Sequence, residues 1–183
     1  MSTFFTLNQG TILYVVAQAD YFCTSSCSSP NKNISRTSEG LYCHHIDEDK
    51  AFKLSEKEYA LKYPFDYQKA ERLVYCNLLE HLLLHIKIAE KNKDIEMPNV
   101  QELGIGGAVF ICWDINSCYY RSIPEWKNAT RSKIINDTNN YIDILKYFLR
   151  ITQSDSRYNR IVTKETIARD FRGNIVVEVF ERI

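Results

Sequence analysis

The four histidines of this chain fall in two clusters, His44-His45 and His81-x-x-x-His85. A neutral imidazole nitrogen is the commonest side-chain metal ligand. Two histidines four apart on a helix share one face, with Cβ atoms about 5–6 Å apart, so both reach one ion. Adjacent residues of a strand point to opposite faces, so one of His44 and His45 can join the helical pair while the other points elsewhere. Three nitrogens around a divalent ion leave positions open for water and substrate, the pattern of a catalytic rather than a closed structural site. The competing reading makes each histidine a hydrogen-bonded core residue. The clustering, with no histidine elsewhere in the chain, favours the shared ion.

The elements that must position these residues can be read around them. Leu41 to Ile46 reads as a short strand ending in the first pair. Asp47-Glu48-Asp49 breaks it and reads first as a solvated turn; in the alternative, one carboxylate tunes a histidine or helps hold the ion. A short helix over 55–62 follows, with Ser55 as N-cap and Pro64 as its stop. Arg72 to Cys76 is apolar and β-prone. Asn77 with Glu80 three residues on resembles a capping box. The helix it opens runs to about Lys91, because Leu78, Leu79, Leu82, Leu83 and Ile86 recur at helical spacing. Upstream, residues 3–23 read as one or two strands and 24–39 as a polar loop. Downstream, 92–107 reads as a loop. Its Gly104-Ile105-Gly106-Gly107 reads as a turn, because a phosphate-binding loop would follow a strand and open a helix. Ala108 to Trp113 reads as a strand, Ile134 to Ile151 as an amphipathic helix, Thr163 to Ala168 as a short helix and Asn174 to Phe180 as a final strand.

The order of strand with His44-His45, loop, strand, and helix with His81 and His85 resembles the HNH nucleases, also called ββα-metal or His-Me finger nucleases. The resemblance covers about residues 40–92. It implies a ββα-metal module over 40–92 and does not extend to the N-terminal strands and polar loop read over 1–39 or to the mixed α/β region read over 93–183; together these make the expected fold α+β. It implies that His44, His81 and His85 ligate one divalent ion (magnesium, manganese, nickel or zinc) and that His45 is the general base that activates a water. The reaction implied is phosphodiester hydrolysis, in which an ion stabilises charge on the phosphate and leaving oxygen. The family also carries an Asn eight or nine residues before the first helical His, which braces the loop bearing the base. Arg72 and Leu73 stand at those positions here. Either Arg72 replaces the brace, donating to carbonyls or gripping the phosphate bidentately, or Gln68 or Asn77 serves from another register.

Composition bounds the partners. Lys+Arg and Asp+Glu are both 23 in 183 residues, which excludes a generally basic coat for nucleic acid and leaves only a local patch. Residues 121–172 hold eleven Lys/Arg against six Asp/Glu, a difference of +5. Arg131, Lys133, Arg157 and Arg160 are its candidate phosphate contacts, with Tyr119, Tyr120, Trp126, Tyr141 and Tyr158 interleaved for stacking. The same pattern also describes an exposed face with aromatics in the core. Six cysteines are expected to be reduced. A structural zinc from Cys23, Cys27, Cys43 and Cys76 lacks the expected second C-x-x-C, and Cys43 and Cys76 read better as small apolar residues on paired strands. No apolar run approaches ~20 residues, and no basic stretch precedes Ile12–Ala17, so no membrane partner and a cytoplasmic location are expected. The expectation is a metal-dependent endonuclease acting on DNA in preference to RNA. The alternative is a non-catalytic, HNH-derived module that binds nucleic acid or protein, a regulator or inhibitor from a mobile element, and keeps its metal for stability.

Overall fold

A computed structural model describes residues 4–6, 11–13, 15–94, 103–120 and 122–183. The architecture is mixed α+β, and two compact units, Met1–Asn77 and Leu78–Ile183, divide the chain.

The first unit is built on short strands. β1 (Phe4–Thr6) and β2 (Thr11–Leu13) pair antiparallel. β3 (Val15–Val16), β4 (Tyr42–His45) and β5 (Leu73–Cys76) form an antiparallel sheet in the order β3-β5-β4. Its register sets His44 opposite Val74 and His45 opposite Leu73. Leu73, Ala17 and Ile34 form a buried cluster against which Tyr21, Cys43 and Tyr75 pack. A second cluster joins Phe22, Cys27 and Ala60, and Tyr21 touches both. The polar stretch 24–39 is turn-rich as its residues suggest, yet it is pinned: Asn31 N–H donates to the Tyr21 carbonyl at 2.6 Å, and Ile34 is buried. β4 ends in a tight 3-10 turn, Ile46–Asp49. α1 (Lys57–Ala60) is capped at Glu56 rather than Ser55, with no side-chain cap. Pro64 caps the next 3-10 turn, Phe65–Gln68, after α1 has ended at Ala60. Arg72 closes a further 3-10 turn, Ala70–Arg72, so β5 starts one residue later than its apolar run suggests.

The second unit is helical: α2 (Leu78–Asn92), α3 (Ile105–Asn116), α4 (Asn128–Asn136), α5 (Thr138–Gln153), α6 (Lys164–Ile167) and α7 (Val177–Phe180). α2 packs on α3 and α5, and α3 on α6. Leu82, Ile86, Ala108, Ile115, Leu145 and Phe148 fill the core between them. Four sequence expectations give way here. Ala108–Trp113 lies inside α3, whose buried residues Ile105, Ala108, Val109, Cys112 and Ile115 recur every three or four positions. The glycines before it open that helix: Gly104 is its N-cap at φ +87°, a backbone that favours glycine. The helix expected over 134–151 is two helices broken at Asp137, where the Thr138 hydroxyl donates back to the Ile135 carbonyl at 2.9 Å. Asn174–Phe180 ends in α7, and extended pairing is limited to an isolated Arg169–Ile175 bridge. The region expected to be mixed α/β is therefore helical among the described residues. No helix among them is long and apolar enough to cross a membrane.

Candidate metal centre

In the first unit the strand and its 3-10 turn set the chemistry. β4 aims His44 and His45 apart, but three residues per turn then brings Glu48 back over both. The Glu48 carboxylate lies 3.4 Å from Nδ1 of each ring, Oε2 toward His44 and Oε1 toward His45. The Asp47-Glu48-Asp49 stretch is thus not a solvated turn. The signal was the i+3 and i+4 spacing of Glu48 from the histidines. His45 is 1% exposed, with its Nε2 3.0 Å from Gln68 Oε1. Gln68 Nε2 donates to the Leu54 carbonyl at 3.1 Å, which fixes which end of the amide faces the histidine. An amide oxygen accepts, so the neutral ring carries its hydrogen on Nε2. The Tyr21 ring covers His45 at 4.6 Å, and burial pushes the Tyr21 hydroxyl up to about 12.

Arg72 sits on the same turn from the other side. Its Nε donates to Asp47 Oδ2 at 2.7 Å and its Nη2 to Asp47 Oδ1, a bidentate grip on a fully buried carboxylate. Lys50 adds a third donor at 3.1 Å. Burial pushes the Asp47 carboxyl up, but these hydrogen bonds outweigh it and hold it below its ordinary range. The Arg72 fork is therefore engaged by Asp47, one residue from Glu48. Burial and the Glu48 charge push the Cys43 thiol up to about 12, so it stays protonated. All six cysteines are free thiols.

In the second unit His81 and His85 share one face of α2, with ring centroids 4.9 Å apart. α3 approaches α2 closely at this point because glycine permits it. A Cβ on Gly104 would stand 2.5 Å from Ala89 N and closer still to the His85 carbonyl. A Cβ on Gly107 would stand 2.5 Å from Cε1 and 3.1 Å from Cγ of His85, nearer still to Nδ1. The His85 ring is seated against bare backbone. Farther along, Lys87 donates to Glu90 at 2.7 Å and to the Tyr147 hydroxyl at 2.6 Å, and Tyr147 donates to Glu90, tying α2 to α5.

Among the described residues, His44, Glu48, His81 and His85 each offer one ligand atom, and these atoms all lie within 4.8 Å of one another. The set can hold a metal ion. Three imidazoles with one carboxylate suit a borderline transition metal such as zinc or nickel better than manganese or magnesium, which prefer oxygen. His45 and Arg72 contribute no atom to the group.

The residues expected to meet nucleic acid differ in exposure. Lys133, Arg157 and Arg160 are exposed and Arg131 partly so. Arg157 is engaged by Asp155 and by the Lys93 carbonyl. Lys127 is buried, donating to the Asp114 carbonyl at 2.8 Å and to its carboxylate, so it adds no surface charge. Tyr141 and Tyr158 are core residues, while Trp126 is exposed. Arg121 lies outside the described residues. Comparison with protein families, with curated proteins and with solved structures finds no match for the chain.

Proposed function

We propose that the protein is a metal-dependent endonuclease of HNH type, hydrolysing phosphodiester bonds of DNA in preference to RNA. The observation that carries this reading is the meeting of His44, Glu48, His81 and His85 within 4.8 Å, with His45 held beside the same Glu48 carboxylate. The order of β4, β5 and α2 along the chain resembles that of a ββα-metal module. A divalent ion on these four residues would supply Lewis acidity at the phosphate and the leaving oxygen. One carboxylate and three neutral imidazoles leave such a site net positive, which favours an anionic substrate.

His45 is the base. With Gln68 holding hydrogen on Nε2, Nδ1 is the atom that takes a proton from water. The resulting hydroxide forms the new phosphorus–oxygen bond as the 3′ oxygen leaves and is protonated by solvent. Glu48, 3.4 Å from Nδ1, stabilises the imidazolium that forms. Arg72 acts as the brace of the turn that carries Glu48, through Asp47. Arg131, Lys133, Arg157 and Arg160 supply local positive charge along the substrate path.

One observation favours the second reading. His45 is 1% exposed and both its nitrogens face protein groups, whereas a base must meet water. On that reading the module is non-catalytic and keeps its ion for stability while binding nucleic acid or protein. Plasmid nicking with magnesium, manganese, nickel or zinc, with and without chelator, separates the two. The nuclease reading expects nicking that chelator abolishes. No nicking with any of the four ions, in protein shown to hold metal, selects the binding module.

A further inference from the structure

The turn joining α6 to α7 presents a half-exposed aromatic ring. Phe171 is 50% exposed at its tip, and Phe110, on α3, is 57% exposed beside it. Their rings meet edge to face at 5.3 Å, and Trp113 approaches Phe171 at 6.2 Å, also near perpendicular. The Trp113 indole is fixed by its N–H, which donates to the Thr166 carbonyl at 2.8 Å.

The turn itself is stiff. Arg172 N–H and Asn174 N–H both donate to Asp170 Oδ1, at 2.7 and 2.9 Å. Gly173 takes φ +81° and donates to the Asp170 carbonyl. The base of the turn is stapled to α3 by Asn116, whose amide donates to the Ile167 and Arg169 carbonyls at 2.8 and 2.7 Å. Asp170, the turn's acid, is buried, while Arg169 and Arg172 are exposed on either side of Phe171. A half-exposed ring on a rigid turn, with exposed arginines next to it in the chain and the Arg172 guanidinium over the Tyr120 ring 5.2 Å from its centroid, is complementary to a base with its neighbouring phosphates. Base–aromatic stacking needs an unpaired base, and arginine adds both charge and a planar cation.

We propose that the 169–175 turn, with Phe110 and Trp113, is a docking site for single-stranded nucleic acid. Phe171 stacks on an unpaired base, and Arg169 and Arg172 hold the phosphates beside it. The site lies within the second unit and uses none of the candidate metal ligands. It extends the nuclease reading to unpaired strands without depending on hydrolysis.

The test is fluorescence anisotropy of the full chain with a labelled oligothymidine and with a duplex of equal length, in chelator. A failed nuclease reading leaves this assay untouched. Phe171→Ala should weaken single-strand binding about 5- to 140-fold, the ~1–3 kcal/mol of one stacked base. Phe171→Trp should retain it, which also guards against a folding defect. Arg169→Ala with Arg172→Ala should lower the slope of log affinity against log salt by about 1.4, at ~0.7 per single-strand phosphate. Single-strand binding that is unchanged in Phe171→Ala overturns the proposal, as does the absence of single-strand binding by the parent.

Discussion

Replacing Gly107 by alanine should weaken metal binding at the candidate centre while leaving the protein folded. The new Cβ would stand 2.5 Å from Cε1 of His85, where ordinary contact begins at 3.4 Å. The ring or the helix must therefore retreat by about 0.9 Å. Metal ligands hold their distances to about 0.2 Å, so the displacement is several times what coordination tolerates. Overpacking of this kind costs ~1–3 kcal/mol, and alanine's better helix propensity returns ~1 of it. Net stability in chelator should fall by about 0–2 kcal/mol. Metal affinity should fall at least ~10- to 100-fold, the usual effect of disturbing the groups behind a ligand. Gly106→Ala is the control, because its Cβ meets nothing within 4 Å. It should keep the parent's affinity and gain ~0.5–1 kcal/mol. Competition against a chromophoric chelator reads affinity, and thermal unfolding in chelator reads the fold. If Gly107→Ala binds metal within twofold of Gly106→Ala, the seat assigned to His85 is wrong.

Glu48→Gln should keep the fold and lose ~10-fold or more in metal affinity by isothermal titration; parent-like affinity would leave the three histidines as the whole ligand set. Arg72→Ala should cost about 1–3 kcal/mol at neutral pH, moderated by Lys50, which still reaches Asp47. Because the folded Asp47 carboxyl lies below its ordinary 3.8, its contribution is complete above that value and is lost as pH falls through the folded one. Denaturant melts at pH 3 and pH 7 should therefore differ less for Arg72→Ala than for the parent, and an equal difference would remove Asp47 from that role. Gln68→Leu should cost ~1–3 kcal/mol by stranding His45 Nε2, with Gln68→Glu restoring most of it. Nitrogen-15 spectra should place the parent's neutral His45 hydrogen on Nε2, and hydrogen on Nδ1 would contradict the proton path.

What the sequence made legible is what local chemistry repeats. The i, i+4 histidines and the leucine spacing of α2 carry their own period, and β4 and β5 fall within a residue or two of their apolar runs. α3 was hidden because Ala108–Trp113 is rich in β-branched and aromatic residues and lies in a short apolar run, which periodicity alone does not assign. Its helical spacing emerges only when Ile105 and Ile115 are counted with it. The break at Asp137 falls in the weak helix formers Asn136 to Asn140, a local signal inside an otherwise periodic stretch, whereas the helical turn at Val177–Phe180 is a tertiary decision that overrides β propensity. At the candidate site, Glu48 was hidden in an acidic turn and Gly107 in a run that resembles a loop. Glu48 acts through its i+3 and i+4 spacing from the histidines, a signal that shows only once the 3-10 turn is known, and Gly107 through a close approach that no linear pattern encodes.

The most direct test of the central claim is the nicking rate of metal-loaded His45→Ala against the parent, with metal content measured on the same samples. The account predicts retained metal and a rate lower by ~10²–10⁴-fold, the ordinary loss for a missing general base. A His45→Ala protein that holds its metal and nicks as fast as the parent would contradict it.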